Sequence, residues 1–269
     1  MAFAPHGLIT LVTDFGSVEP FVGIVKARIL QRLPDARIVD LAHELPAGRA
    51  DIAGFWLAHA WCEFPPGTVH LAVIDPGVGT ARGVVLAEAA GQVLLAPDNG
   101  LLPEALRDVD GVRWRTMDPE VPARLRLGPL SRTFHGRDLF GPLAGMLAAA
   151  DLPPEAIGAV SEPNDPRPLP RSVLEAGGVS GQVLVTDRFG NLISNIGEAA
   201  LAGMRQPVVS VAGLQLELRG AYGEVPQGTP VAVVNAFGLL EIALNGGRAA
   251  DALGLAEGAP LRVRDGFSA

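Results

Sequence analysis

One cysteine, one lysine and one tyrosine occur in 269 residues, and each scarcity excludes something. The lone thiol, Cys62, rules out a disulfide within the chain. It lies in the apolar run Phe55-Trp56-Leu57-Ala58-His59-Ala60-Trp61-Cys62, where it reads as a buried core thiol rather than a nucleophile. Lys26 is the only lysine, no Lys/Arg run exists, and the net charge is −8, so the basic patch that nucleic acid requires is missing. No apolar run approaches the roughly 18–20 residues of a membrane span. No charged-apolar-small leader precedes Leu8, and the expectation is a soluble, cytoplasmic protein with no membrane partner. Paired cysteines, His-x-x-x-His and His-Glu-x-x-His are absent, so no metal site is expected. A Gly-x-Ser-x-Gly elbow, a Gly-Lys-Ser/Thr phosphate loop and a Gly-x-Gly-x-x-Gly fingerprint after the first strand are absent too.

What the chain does have is apolar mass and turns. Hydrophobic residues make up 48% and charged residues 19%, enough for a large core and too apolar for wholesale disorder. Thirty-three glycines and 23 prolines imply many short loops rather than a helical bundle. Up to residue 150, strand-like runs (Leu8–Thr13, Arg37–Leu41, Thr68–Ile74, Val84–Ala87, Val93–Ala96, Val112–Arg115) alternate with helical patterns (Phe21–Leu33, Arg49–Glu63, Pro103–Arg107, Arg137–Ala150). That alternation predicts an α/β domain over 1–152, a mostly parallel sheet flanked by helices. Residues 153–178, rich in proline (Pro163, Pro166, Pro168, Pro170 among others), read as an interdomain connection. From 179 to 269 the texture is β. The runs Val183–Thr186, Val208–Val211, Leu214–Leu218, Val231–Val234 and Leu239–Ala243, with one helix at Ala249–Leu253, predict a small antiparallel barrel or sandwich.

Four segments concentrate the chemistry: Val12-Thr13-Asp14-Phe15-Gly16, Ile74-Asp75-Pro76-Gly77-Val78-Gly79-Thr80-Ala81-Arg82, Thr133-Phe134-His135-Gly136-Arg137-Asp138 and Asp187-Arg188-Phe189-Gly190-Asn191. Open α/β sheets collect their ligand-binding groups on loops at the carboxyl ends of strands, where these segments fall. Asp14 could accept both hydroxyls of a ribose, or simply cap a turn or helix. Asp75 opens an Asp-Pro-Gly turn and stands seven residues before Arg82, which is either a solvated loop charge or a fixed cation beside an anion. His135 precedes a helix and can move a proton near neutral pH. The other histidines, His6, His43, His59 and His70, read as surface or satisfied core groups. Asp187, Phe189 and Asn191 could serve an ammonium group, a base ring and an acceptor edge, or form a hairpin turn with a packed Phe. Asn235 and Asn245 flank a strand and are open to the same two readings.

With the stretches Ala96-Pro97-Asp98-Asn99-Gly100-Leu101-Leu102 and Asn235-Ala236-Phe237-Gly238-Leu239-Leu240-Glu241-Ile242-Ala243 added, the chain resembles, nearly end to end, the S-adenosyl-L-methionine hydroxide adenosyltransferases. These are hydrolase relatives of the fluorinase and chlorinase. The resemblance implies an N-terminal α/β domain, a smaller C-terminal β-barrel, and a homotrimer with active sites between subunits. It implies a catalytic set Asp75, Arg82 and His135, ribose binding by Asp14, and nucleoside and methionine contacts from Asp187, Phe189, Asn191 and the Asn235 region, with Asn245 beside them. It further implies no cofactor. S-adenosyl-L-methionine would be the substrate, and adenosine and L-methionine the products of in-line (SN2) attack of water on ribose C5′. Whether Asp75 or His135 takes the proton stays open at this level. Relatives often carry Ser where this chain has Ala236, near the methionine carboxylate. The competing classes are halide transfer to the same carbon and a non-catalytic binder of S-adenosylmethionine or adenosine.

Overall fold

The first two strands already show how the sheet is buried. In β1 (Leu8–Thr13), Ile9 and Leu11 enter one apolar cluster while Val12 enters another, because successive side chains point to opposite faces. The same division runs through β3 (Val69–Val73), β4 (Val84–Ala89) and β5 (Gln92–Pro97), whose residues are almost all buried. A strand covered on both faces must be apolar on both, which is why these runs are continuous rather than alternating.

The computed structural model describes residues 2–164 and 168–266, so Pro166 of the proline-rich stretch lies outside the described residues. The chain forms two compact units, Met1–Pro168 and Leu169–Ala269. In the first, β2 (Arg37–Ala42) and β6 (Arg113–Thr116) complete a six-stranded sheet of order β2-β1-β3-β5-β4-β6. Strands β2, β1, β3 and β5 run parallel, and β4 pairs antiparallel with both β5 and β6. Helix α1 (Phe21–Leu30) and helix α5 (Gly141–Ala148) supply the cluster on one face. Helices α2 (Ala50–Ala58) and α3 (Leu101–Ala105) supply the other. A short helix, α4 (Val121–Arg124), was not expected from the sequence.

Three expectations change in detail. The helix expected over Arg49–Glu63 stops at Ala58 and resumes as a 3₁₀ turn, Trp61–Glu63. Trp61 takes the inward position of that turn, and the next residue, Cys62, is rotated outward and exposed rather than buried in the core. The helix expected over Arg137–Ala150 begins as a π-helical turn, Gly136–Phe140, and continues as α5.

The second unit is a closed β-barrel. Strands β8 (Gly178–Thr186), β9 (Leu192–Gly197), β10 (Pro207–Val211), β11 (Leu214–Arg219), β12 (Pro230–Val234), β13 (Leu239–Leu244) and β14 (Pro260–Asp265) form a ring of seven, closed by pairing of β14 with β8. β7 (Val173–Glu175) adds to β8 outside the ring, and α6 (Ala249–Leu253) lies between β13 and β14 in sequence. The barrel is not wholly antiparallel: β11 and β12 run parallel, since the chain returns through 220–229 instead of a hairpin. Its core includes Val179, Val183, Leu192, Ile196, Val209, Leu240, Ile242 and Val263. Closure removes the exposed edges that an open sheet of this size would carry.

Candidate active site

Asp75 emerges two residues past the end of β3, and His135 stands immediately before the π-helical turn. The loop between β3 and β4 is folded by local bonds: Val78 N–H to the Asp75 carbonyl (3.2 Å), Thr80 N–H to the Gly77 carbonyl (3.2 Å) and the Thr80 hydroxyl to the same carbonyl (2.7 Å). Gly79 has φ +75°, and a Cβ there would lie 2.1 Å from the Arg132 carbonyl oxygen. Only glycine lets the loop approach that closely, and Arg132 is three residues before His135.

The result is a contiguous polar network. Arg82 Nε donates to Asp75 Oδ1 at 2.9 Å and Arg82 Nη2 donates to Asp75 Oδ2, a two-pronged ion pair. The same Nη2 lies 3.0 Å from His135 Nδ1, and Nη1 donates to the Gly83 carbonyl at 3.0 Å. The guanidinium carbon sits 5.3 Å from the centre of the Phe140 ring. The side chains of Arg82 and Asp75 are only 9% and 5% exposed, so solvent screens the pair weakly. The sequence left Arg82 between a solvated charge and a fixed cation; its burial and pairing place it with the second.

Arginine has no acceptor and does not lose its proton. His135 Nδ1 must therefore accept from Arg82, and the neutral ring carries its proton on Nε2. Burial, and then the positive charge of Arg82, hold the His135 pKa below its ordinary value; Asp75, Asp138 and the Ser131 carbonyl act in the opposite direction. Asp138 pins the segment: it accepts from the Ser131 N–H (2.8 Å) and from Arg137 (2.7 and 3.0 Å). The Arg137 bonds keep its carboxyl well below the usual range. Asp14, at the end of β1, accepts the Gly48 N–H on Oδ2 at 2.8 Å, while Oδ1 has no partner among the described residues.

The expected substrate-binding residues of the second unit sit in turns of the barrel. Asp187 accepts the Asn191 N–H (2.8 Å) and Asn191 Nδ2 (3.0 Å), closing the turn. Phe189 is 74% exposed, so the reading of a packed Phe does not hold. Asn235 Oδ1 accepts the N–H groups of Phe237 (2.9 Å) and Leu239 (3.1 Å), and Asn245 Nδ2 donates to the Val225 carbonyl (2.7 Å). Sequence reasoning missed Glu241. It is 2% exposed and accepts from the Tyr222 hydroxyl (2.8 Å) and Asn235 Nδ2 (3.0 Å), so it fixes the Asn235 amide. Burial, reinforced by the bond to Glu241, pushes the Tyr222 hydroxyl up to about 12. A single acid inside the apolar run Leu239-Leu240-Glu241-Ile242-Ala243 was the available signal.

These features define a class: a two-domain protein with a buried Asp–Arg–His network at the strand ends of an α/β sheet, followed by a closed barrel. The particular family follows from comparison with known proteins. Residues 9–158 match the SAM hydroxide adenosyltransferase N-terminal domain and residues 181–262 its C-terminal domain. The chain belongs to that family. A (R)-S-adenosyl-L-methionine hydrolase of Thermus thermophilus is 41% identical over 259 residues, covering 95% of this chain and 98% of the relative. A fluorinase of Actinopolyspora mzabensis is more distant, 25% identical with 95% and 96% covered. Among solved structures, an uncharacterised conserved protein from Thermotoga maritima superposes with a TM-score of 0.85 at 32% identity, covering 95% of this chain and 99% of that one. No helix among the described residues is long and apolar enough to cross a membrane.

Proposed function

We infer that this protein is an S-adenosyl-L-methionine hydrolase, forming adenosine and L-methionine. The observation that carries the mechanism is the Asp75–Arg82–His135 network, held by hydrogen bonds within one unit. The oxygen of water forms a bond to ribose C5′ as the C5′–S bond breaks in line. The electron pair of that bond goes to sulfur, which leaves as the neutral thioether of methionine, and one proton is released to solvent. A neutral leaving group needs no acid, so the work lies in supplying the nucleophile. Bulk water has a pKa near 15.7.

The tautomer of His135 bears on which group acts. With Nδ1 accepting from Arg82, the remaining ring nitrogen carries the proton, so the neutral ring has no nitrogen free to take one from water. Both Asp75 oxygens accept from Arg82, so the carboxylate serves to hold the guanidinium in place. Arg82 spends four of its five N–H donors within the network, leaving one toward a ligand. That arrangement suits a site that stabilises hydroxide as it forms better than one in which His135 removes the proton at rest. In-line alignment contributes further, up to about 7–11 kcal/mol in the best cases. Asp14 would take the ribose hydroxyls through its unpaired Oδ1. Asp187, Phe189, Asn191, Asn235 and Asn245 would contact the nucleoside and methionine portions, and no cofactor takes part. The Thermus relative is named for the (R) epimer at sulfur, and we carry that preference to this chain as well. The homotrimer, with active sites between subunits, and the cytoplasmic location belong to the same reading. Exposed Phe189, Phe237 and Tyr222 support burial against a neighbouring subunit.

The test is incubation with each sulfur epimer in 18O-labelled water, with products read by mass spectrometry beside a His135→Ala control and a chloride series. Labelled adenosine with unlabelled methionine, much reduced in the variant, is the expected result. Intact substrate would point to a binder, and chloride-dependent 5′-chloro-5′-deoxyadenosine to halide transfer. Light scattering of the purified protein reads the subunit number.

A further inference from the structure

The loop that carries Asp75 and Arg82 joins β3 to β4, yet these strands are not neighbours: β5 lies between them. The loop therefore crosses the carboxyl end of β5, where Asp98 and Asn99 emerge. These two residues hold both legs of it. On the β3 side, Asn99 Nδ2 donates to the Ile74 carbonyl at 2.8 Å, one residue before Asp75. On the β4 side, the Asp98 N–H donates at 3.0 Å to the Gly83 carbonyl, one residue after Arg82. That carbonyl also accepts Arg82 Nη1. The Asp98 carboxylate is fully engaged elsewhere, accepting the Asn164 N–H (2.8 Å) and Asn164 Nδ2 (2.6 Å). Gly100 turns the chain at φ +93° directly afterwards, so Asn99 is fixed between the strand end and α3.

We propose that Asn99 is a positioning residue for catalysis: its amide sets the backbone from which Asp75 and Arg82 meet, and so sets the contact between Arg82 and His135. The bland account of Asn99 is a cap for α3, but its bond from the Leu101 N–H is long, 3.4 Å, while the bond to Ile74 is short. The Ile74 side chain is fully buried, so water has poor access to replace the lost donor there. Releasing that leg lets the guanidinium withdraw from His135 Nδ1. The charged groups facing His135 are Arg82, Asp75 and Asp138; only the first opposes its protonation.

The catalytic consequence rests on the hydrolase reading above, and the test separates the two. Histidine 13Cε1 resonances are titrated in the wild type and in Asn99→Ala, with His135 assigned from His135→Ala, alongside steady-state kinetics with S-adenosylmethionine. In the wild type His135 titrates below 6.5; in Asn99→Ala it moves up toward that value. Turnover falls about 10- to 100-fold, while KM stays within about 3-fold. If Asn99→Ala does not fold, Asn99→Ser carries the test: its hydroxyl accepts from the Leu101 N–H but is too short to reach the Ile74 carbonyl. Asn164→Ala removes the Nδ2 bond to Asp98 but none to the loop, and controls for general loosening. A folded Asn99 variant in which His135 titrates as in the wild type overturns the proposal, as does an equal shift in Asn164→Ala. A wild type that leaves substrate intact defeats the hydrolase reading alone, because the titration still decides whether Asn99 sets the network.

Discussion

The α/β unit and the barrel unit arrange their polar groups differently. In the first, an ion pair within one loop, Asp75–Arg82, meets a neutral histidine from a distant part of the chain: Asp75, Arg82 and His135 span sixty residues of sequence and form one network. In the second, Asp187 bonds Asn191 and Asn235 bonds the next turn of its own loop, so the polar atoms serve local turns while aromatic faces point outward. Under the function proposed above, the first pattern would be a preorganised reaction site, whose charges need not rearrange when the reaction begins. The second would then be a recognition surface, shaped by loops on the barrel. Changes in the first unit should therefore act on turnover and changes in the second on affinity.

The largest expected effect is at Arg82. Arg82→Lys keeps the charge but loses the planar fork that bonds both Asp75 oxygens and His135. Turnover should fall about 10²- to 10³-fold, as when one oxyanion donor is removed. Arg82→Ala should add a loss of stability of about 3–5 kcal/mol, because Asp75 is left buried and unpaired. Steady-state kinetics and urea unfolding read the two effects separately. Near-normal turnover in the lysine variant would break the contrast between the units.

A glycine pair sharpens it next. Gly79 and Gly213 both have positive φ, +75° and +78°, so alanine strains either backbone. At Gly79 the new Cβ also meets the Arg132 carbonyl; at Gly213, between β10 and β11, it meets nothing within 4 Å. Gly213→Ala should cost about 1 kcal/mol of stability and leave turnover alone. Gly79→Ala should displace the loop that carries Asp75 and Arg82 and reduce turnover about 10- to 100-fold.

How far these features could be read from the sequence follows the same physics. The buried parallel strands were legible because continuous apolar runs bounded by Gly and Pro have few other uses. β9 was not, because Ser194 and Asn195 interrupt it; Ser194 is fully buried and donates to the Leu240 carbonyl at 2.8 Å, a bond no pattern reveals. β14 alternates Leu261 and Val263 inward with Arg262 and Arg264 outward, a strand signal hidden by its charge. The Asp75–Arg82 spacing was visible and its function came from resemblance, but Asn99 acts on a backbone carbonyl and leaves no paired residue type to notice.

On the barrel side, Asp187→Asn and Phe189→Ala should each raise KM about 10-fold with turnover within about 3-fold. Phe189→Ala should leave the melting temperature of the isolated subunit unchanged, since the ring is 74% exposed. Thermal melts beside kinetics check both, and a loss confined to turnover would place Phe189 with the reaction rather than with recognition.

The gentlest test uses pH, because all five histidines lie in the first unit, the last being His135. Two of them act in different ways as acid is added. His135 is needed neutral, and its pKa is held below the ordinary value by burial and Arg82, so activity should persist at pH 6.5 and decline only as pH falls through that lowered value. His70 governs stability instead. It is fully buried, with Nε2 donating to Gln92 Oε1 (2.7 Å) and Nδ1 accepting from Thr10 (2.8 Å), and burial brings its pKa down to about 4. The unfolded chain binds this proton from pH 6.5 downward while the folded chain refuses it until about 4. Stability is therefore full above 6.5 and drains by about 1.4 kcal/mol per pH unit below it, until the folded state also protonates. His70→Gln should flatten that slope between pH 6.5 and 4 in denaturant titrations while leaving the activity limb in place. If the slope survives the substitution, the acid sensitivity belongs to other groups, first His59 and His135, whose pKa values burial also lowers.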